Sequence, residues 1–233
     1  MLHTKASKFF LVGAMVLFIF GILFFRARNR AGKIALPVAP TVQLDNVPAQ
    51  VQTQPSVVSD ASGAIAPADF LAPLDRAKER ITKKPFGIHI TQANSPVQPE
   101  RFSGYHTGTD FEIFPQELTV AVPVKAICTG KIIEKRWASG YGGVLVQSCQ
   151  LKNQPITSIY GHLNLTSISQ KIGDTLTVGA VIGELGQDRS TQTDGERKHL
   201  HLGVHKGANI NILGYVQSPT QLSSWIDVAT LLP

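Results

Sequence analysis

The chain has 233 residues, of which 43% are hydrophobic, and a formal net charge of +6 at pH 7. Residues 1–33 carry six Lys or Arg and no acidic residue, whereas residues 101–233 carry eleven basic and ten acidic side chains. The C-terminal part is therefore nearly neutral and has no basic stripe with interleaved aromatic residues. It lacks the electrostatic footprint of a nucleic-acid-binding protein, so we exclude nucleic acid as a partner.

Residues 9–25 predict a membrane anchor. These seventeen residues have no charged or hydrogen-bonding side chain, and lysines precede them while arginines follow. Their length just spans the apolar core of a bilayer. A cleaved signal peptide is the alternative, but no A-x-A-like site follows the segment. A buried core helix is disfavoured because apolar residues cover every face. We predict an uncleaved transmembrane signal anchor over residues 1–30.

The next segments predict a tether and a short helix. Residues 31–67 are rich in Pro, Ala, Val, Gln, Ser and Thr and show no sustained periodicity, which is typical of a flexible, disordered linker. Within residues 69–84, apolar residues recur at helical spacing and charged residues occupy the other faces, which predicts a short amphipathic helix ended by Pro85. Residues 68–100 are thus interpreted as a short helix and a lead-in strand.

From residue 86 the pattern changes to short β-type runs separated by Gly, Pro, Asn and Asp, which indicates an all-β domain over residues 101–233. The predicted strands are 88–91, 119–122, 126–136, 144–150, 157–162, 181–185 and 200–205.

Cys128 and Cys149 are the only cysteines, too few for a structural zinc site built from thiolates. If the flanking strands form a hairpin that turns at Ser139 and Gly140, the two cysteines face each other across it. Two alternatives stay open: an intramolecular disulfide in an oxidising compartment, or two small buried apolar residues in adjacent strands.

His106 and Asp110 form the first candidate metal block, H-T-G-T-D. Zinc accepts an imidazole nitrogen and a carboxylate oxygen, and we expect Gly108 to let the backbone bend so that both side chains reach one ion. Taken alone, the pair is a weak signal, and a surface histidine with a nearby capping aspartate is the simpler explanation.

His199 and His201 form the second block, H-L-H, at the start of a predicted strand. The two-residue period places both imidazoles on one face, while Leu200 and Leu202 point towards a core. Two ordinary exposed histidines are the alternative. His205 has the same parity, but it lies about 13 Å beyond His201 along a strand, too far to share the site.

His162 ends another apolar strand in the sequence Y-G-H-L. Taken together, His106, Asp110 and His201 provide three protein ligands that leave a fourth zinc position open, which is the arrangement of a hydrolytic site. His162 and His199 can then act as a general base and a partner for the oxyanion.

Residues 105–206 resemble the catalytic domain of lysostaphin-like, LytM-type zinc metalloendopeptidases. The resemblance rests on three blocks in the family's order: His106 to Asp110 as H-x-G-x-D, residues 160–163 as Y-x-H-L, and His199 to His201 as H-x-H. Residues 171–174 and 179–186 are similar to the turn and strand that precede H-x-H in the family.

The resemblance implies Zn²⁺ held by His106, Asp110 and His201, with His162 and His199 as catalytic residues. It also implies antiparallel sheets that form a groove over the metal, and hydrolysis of peptide cross-links in bacterial peptidoglycan by a metal-activated water. A non-catalytic module that binds the cell wall and activates other hydrolases is the alternative.

Two departures from the family pattern concern substrate preference. The loop at 187–198 lacks the compact Ser-Thr-Gly-Pro run, and Val204-His205 replaces the usual Phe-Glu.

This function predicts a single-pass membrane protein with its catalytic domain outside the cytoplasm. The basic flank at residues 26–33 opposes that orientation, because the positive-inside rule places such residues in the cytoplasm. We give the implied function precedence over the charge rule in predicting this orientation.

Overall fold

The structure, a computed structural model, describes residues 70–232. The predicted anchor at 1–30 and the tether at 31–67 lie outside the described residues, and both stay predictions. Among the residues that are described, no helix is long and apolar enough to cross a membrane.

Short strands dominate the described part of the chain and are joined by tight turns and single 3-10 turns. The strands are β1 (His89–Ile90), β2 (Gly104–His106), β3 (Gly108–Glu112), β4 (Pro123–Lys125), β5 (Gly130–Ala138), β6 (Gly142–Leu151), β7 (Gln154–Gly161), β8 (Leu163–Asn164), β9 (Thr175–Leu176), β10 (Val181–Leu185), β11 (His199–Lys206) and β12 (Tyr215–Val216). The 3-10 helices are Ala77–Arg80, Pro115–Glu117, Leu165–Ser167, Thr191–Thr193 and Val228–Leu231, and the α-helix α1 is Pro219–Leu222.

The strands form one large antiparallel sheet and two small ones. The six-stranded sheet has the order β3-β11-β7-β6-β5-β9, and the three-stranded sheets have the orders β1-β2-β12 and β4-β10-β8. All the strand pairs are antiparallel. This confirms the predicted all-β antiparallel class.

Strand β11 lies between β3 and β7, and the hydrophobic core packs on one of its faces. Leu200, Leu202 and Val204 are fully buried there, in one cluster with Phe111 and Tyr160. The strand's remaining face is also buried at its N-terminal end, but it carries histidines.

The predicted amphipathic helix over residues 69–84 is wrong in extent, since only Ala77–Arg80 is helical, as a 3-10 turn. The backbone before it pairs with the segment around β4: Leu71 N–H donates to Ile127 O at 2.9 Å, and Lys125 N–H donates to Pro73 O at 2.8 Å. The second bond takes the Pro73 carbonyl, which a helix over these residues would use for its own hydrogen bond.

The strand predicted at residues 119–122 is also absent, because this segment is a loop. The Lys198 ammonium donates to the carbonyl oxygens of Glu117 at 3.0 Å and Val120 at 2.6 Å. The Val120 carbonyl is thus bound to a cation, and only the Val122 carbonyl at the end of the segment accepts from β10, where Leu185 N–H donates to it at 3.0 Å. Conversely, β2 and β3 were not predicted as strands.

The hairpin of β5 and β6 turns at residues 139–141, as predicted. Cys128 and Cys149 are joined by a disulfide, with their Cα atoms 6.2 Å apart. The structure therefore selects the bonded alternative of the two that the sequence left open.

Candidate metal centre

Three adjacent strands of the large sheet place the candidate residues in one row. His201 of β11 lies opposite Asp110 of β3 on one side and opposite Gly161 of β7 on the other. His162 follows Gly161 directly, so the register of two strand pairs brings three sequence blocks together.

His106 reaches the same point from the small sheet that contains β2. Its backbone N–H donates to Ile88 O at 3.0 Å, and its carbonyl accepts from Gly87 N–H at 2.9 Å. These bonds fix the position of the His106 backbone.

Gly108 lies between the two candidate ligands of the first block, and its role differs from the predicted one. It is part of strand β3 and has no positive φ, so it does not supply a bend. A Cβ atom added at Gly108 would lie 2.6 Å from the His201 ring. The glycine is needed because the imidazole of His201 occupies the space of a side chain.

The side chains of His106, Asp110 and His201 converge into one buried group, each offering one ligand atom within 4.8 Å of the others. His106 Nε2 lies 3.0 Å from His201 Nδ1. Asp110 Oδ1 lies 3.3 Å from His106 Nε2 and 3.2 Å from His201 Nδ1.

These separations fit a zinc ion. Ligand bonds of about 2.0–2.1 Å in a tetrahedral site place the ligand atoms about 3.3 Å from one another. The three observed distances of 3.0, 3.2 and 3.3 Å match that spacing. Two imidazole nitrogens and one carboxylate oxygen also form a donor set that zinc prefers, with a fourth position left for water.

The outer nitrogens of the two candidate ligand histidines have their own partners. His106 Nδ1 donates to the Pro85 carbonyl at 3.2 Å, which leaves the lone pair on Nε2 directed into the site. His201 Nε2 lies 3.3 Å from the hydroxyl of Tyr141, so Nδ1 faces Asp110.

His162 and His199 lie beside this group, with ring centroids 4.3 Å apart. His199 Nδ1 donates to the Arg197 carbonyl at 2.8 Å. His162 has a left-handed backbone, with φ of 62°. Its Nδ1 is buried and has no hydrogen-bond partner in the described part of the chain.

Burial and neighbouring side chains together shift the pKa values of the centre. It lowers the pKa of His162 well below the usual value, and the neighbouring His199 lowers it further. Burial also lowers the pKa of His201 to about 4. Burial acts to raise the pKa of the Asp110 carboxyl, but His199 and His106 outweigh it and hold that pKa well below its usual range. Neutral imidazoles and an ionised carboxylate are the forms that bind a metal.

Sequence patterns missed two charged residues of the site, Arg197 and Glu112. The Arg197 guanidinium donates to Asp110 Oδ2 at 2.8 Å and to both oxygens of Glu112. Glu112 is two residues after Asp110, and Arg197 is two before His199, inside the loop that departs from the family pattern. The only hint in the sequence was that each residue lies two positions from a candidate site residue.

The centre lies on the floor of a cavity of about 430 Å³. Its lining includes three aromatic residues, Phe102, Tyr141 and Tyr215, and two aliphatic residues, Ile212 and Leu213. The Tyr215 ring packs against His106, with centroids 5.2 Å apart.

His205 does not line this cavity. Its ring packs edge-on against Trp225, with centroids 4.9 Å apart. The distance along the strand thus separates His205 from the centre in the way that the sequence predicted.

The part of the chain that carries the candidate site is similar in sequence to known peptidases. Residues 104–212 match the model of "Peptidase family M23", and that range contains all five predicted site residues. Lysostaphin of Staphylococcus staphylolyticus is 35% identical over 83 residues, which are 36% of this chain and 16% of that protein. Lysostaphin of Staphylococcus simulans is also 35% identical over 83 residues, and 15% of its length is covered.

The chain is also similar to solved peptidase structures, with TM-scores below 0.5. The catalytic domain of the antimicrobial peptidase lysostaphin from Staphylococcus simulans has a TM-score of 0.44 and 22% identity, with 66% of this chain and 96% of that chain covered. A zinc-containing peptidase from Vibrio cholerae has a TM-score of 0.39 and 23% identity, with 61% of this chain and 41% of that chain covered.

Proposed function

We propose that the protein is a membrane-anchored zinc metalloendopeptidase whose residues 104–212 form a catalytic domain of the peptidase M23, peptidoglycan-hydrolase type, because that range matches the family model and the chain is similar to lysostaphin. Its proposed substrates are the peptide cross-links of bacterial peptidoglycan. The chain covers only about a sixth of the length of the curated lysostaphins that it matches, so this activity is inferred for the domain from its own site.

One observation carries the proposal: three ligand atoms with zinc-like spacing and two further histidines meet on the floor of one cavity. His106, Asp110 and His201 would hold the zinc ion. A non-catalytic relative has no need for His162 and His199 beside such a group, and their presence favours catalysis.

Bound zinc would supply a Lewis acid that polarises the scissile carbonyl and lowers the pKa of water. His162 is unprotonated at neutral pH because burial lowers its pKa, and we assign it the proton of the attacking water. His199 is held by the Arg197 carbonyl, and we assign its ring to the oxyanion that forms at the scissile carbon.

The cavity fits a peptide substrate. It opens to solvent, and its aromatic and aliphatic lining residues offer apolar contact surface next to the polar floor. The predicted tether of residues 31–67, with a random-coil span of roughly 35 Å, would let the domain reach the cell wall from the membrane.

We further propose that the catalytic domain lies outside the cytoplasm. The disulfide between Cys128 and Cys149 supports this, because such bonds persist in oxidising compartments and are rare in the cytosol. A topology reporter fused after Pro233 tests it. An exported reporter signal is expected, and a cytoplasmic signal would contradict the cell-wall function even if the zinc site exists.

The activity test combines metal content with clearing of a purified peptidoglycan suspension. We expect one zinc per chain, clearing that a chelator stops, and recovery when zinc is returned. His201→Ala should abolish zinc binding and clearing, because one of the three protein ligands is lost. His205→Ala is the matched control from the same strand, and it should keep both.

A zinc-loaded His201→Ala protein would overturn the ligand assignment. Wild-type protein that binds zinc but never clears peptidoglycan would favour the non-catalytic activator instead. Mass analysis of the released muropeptides would identify the bond that is cut.

A further inference from the structure

Arg197 occupies a buried position that neither the motifs nor the proposed mechanism explains. It belongs to the irregular loop before β11, yet only 7% of its surface is exposed. Its guanidinium lies between two carboxylates: Nη2 is 2.8 Å from Asp110 Oδ2 and 2.5 Å from Glu112 Oε1, and Nε is 2.9 Å from Glu112 Oε2. A cation so deeply buried is stable only with such partners, which also hold its pKa above the usual value against the effect of burial.

The two oxygens of Asp110 have separate partners. Oδ1 faces the candidate ligand nitrogens of His106 and His201, at 3.3 and 3.2 Å. Oδ2 faces Arg197 at 2.8 Å and His199 Nε2 at 3.2 Å. The guanidinium therefore turns one oxygen away from the ligand group and leaves the other directed into it.

Glu112 holds the guanidinium in place. It follows Asp110 by two residues in β3 and lies opposite His199 in the pairing with β11. Both carboxylate oxygens of Glu112 accept from Arg197, which is the two-pronged geometry that a planar guanidinium supports and an ammonium does not. The orientation of Arg197 is thus fixed independently of Asp110.

Arg197 also orients a second site residue through its backbone. Its carbonyl accepts the Nδ1 hydrogen of His199 at 2.8 Å. One residue therefore fixes both the carboxylate ligand and the ring that stands beside it.

We propose that Arg197, braced by Glu112, is a positioning residue that sets the zinc affinity of the site by holding Asp110 with a single oxygen towards the metal. The inference rests on the proposed function in so far as the site binds zinc. Outer hydrogen-bond partners of metal ligands typically contribute about 10–100-fold in metal affinity.

A purely electrostatic role and a positioning role of Arg197 predict different changes in zinc affinity, which makes the proposal testable. If Arg197 acted only as a positive charge near Zn²⁺, its neutralisation would raise zinc affinity and its replacement by lysine would change nothing. If it positions Asp110, affinity falls in both variants, because neither glutamine nor lysine can bridge two carboxylates as the fork does.

The experiment measures zinc affinity of the full chain by competition with a chromogenic chelator. Arg197→Lys is expected to weaken zinc binding by about 10–100-fold, and Arg197→Gln by at least as much. Arg80→Lys is the control: Arg80 is similarly buried and holds both oxygens of Glu117 through Nη1 and Nη2. It also donates to the backbone carbonyl of Glu112 at 3.2 Å, but it contacts no candidate metal ligand. Its zinc affinity should stay within about twofold of wild type.

Melting temperatures measured in the presence of a chelator report folding without metal binding. A merely structural role of Arg197 would lower the melting temperature of Arg197→Lys and Arg80→Lys alike and leave zinc affinity unchanged. Wild-type affinity in folded Arg197→Lys, or higher affinity in Arg197→Gln, would overturn the inference alone. If Arg197→Lys does not fold, Arg197→Gln decides by its sign. A wild-type protein that binds no zinc would overturn the proposed function and this inference together.

Discussion

The two faces of strand β11 are both buried over residues 199–202, but one packs in the hydrophobic core and the other carries candidate site residues. Leu200 and Leu202 on one face have no exposed surface, and His199 and His201 on the other are 2% and 4% exposed. Burial of each leucine stabilises the fold by about 1.5–3 kcal/mol. The histidines gain no such stabilisation, because a buried polar ring is tolerated only where its nitrogens find partners. Stability and chemistry are thus divided between alternate residues of a single strand.

The polar face depends on a small set of partners. Asp110, Tyr141 and the Arg197 carbonyl satisfy nitrogens of His199 and His201. Among the described residues, His205 Nδ1 at the far end of this face and His162 Nδ1 next to it are buried without a partner. An unsatisfied nitrogen beside a ligand group is unfavourable for folding and available for proton transfer.

The largest effect is expected from His162→Ala, next to the polar face of β11. It should leave zinc bound and reduce peptidoglycan clearing by about 10²–10⁴-fold, because a general base is lost while the three ligands stay. Zinc content and initial clearing rates of the same preparation measure both quantities. Clearing within threefold of wild type would remove His162 from the mechanism.

On the apolar face, Leu202→Ala should lower the free energy of unfolding by about 2–5 kcal/mol, because it leaves a cavity in the core. The folded variant should still bind one zinc, since its side chain points away from the centre. Urea denaturation with zinc titration tests both points, and Leu118→Ala, at a residue that is 50% exposed, is the control. Loss of zinc from folded Leu202→Ala would show that the two faces are not independent.

The smallest effect is expected from pH. Burial lowers the pKa of His201 from 6.5 to about 4 in the folded state, so between these values the unfolded chain binds a proton that the folded chain does not. Stability is then complete above pH 6.5 and falls as pH decreases towards 4, by about 3 kcal/mol for His201.

Burial of His162 acts in the same direction, since its pKa is also lowered. Urea denaturation of chelator-treated protein at pH 7 and pH 4.5 measures the loss, which should be smaller in His201→Ala. Equal stability of the wild-type protein at both values would contradict neutral burial of these histidines.

Much of this division was predictable from local pattern. Alternation placed His199 and His201 on one face and Leu200 on the other, and strand spacing excluded His205. Segments 181–185 and 88–91 were predicted within one or two residues of β10 and β1. The predictions at 69–84 and 119–122 failed because distant groups, Lys125 in one case and Lys198 in the other, bind backbone carbonyls that propensity assigns to local structure.

The site was predictable only as a set of motifs. The identity of the five residues followed from their types, order and family resemblance, whereas their separation in space depends on which strands pair and in which register. Gly108 illustrates the difference: the sequence indicates a bend, but the structure uses the missing side chain as space for the His201 ring.

By itself, the sequence determined the β class, the two-faced strand β11 and the candidate ligands, because periodicity and residue chemistry are local properties. The tertiary structure decided that Cys128 and Cys149 are bonded, that Gly108 makes room, and that Arg197 and Glu112 belong to the centre. Arg197 meets Asp110 across 87 residues of chain, and no local pattern encodes a contact that only the β3–β11 register creates.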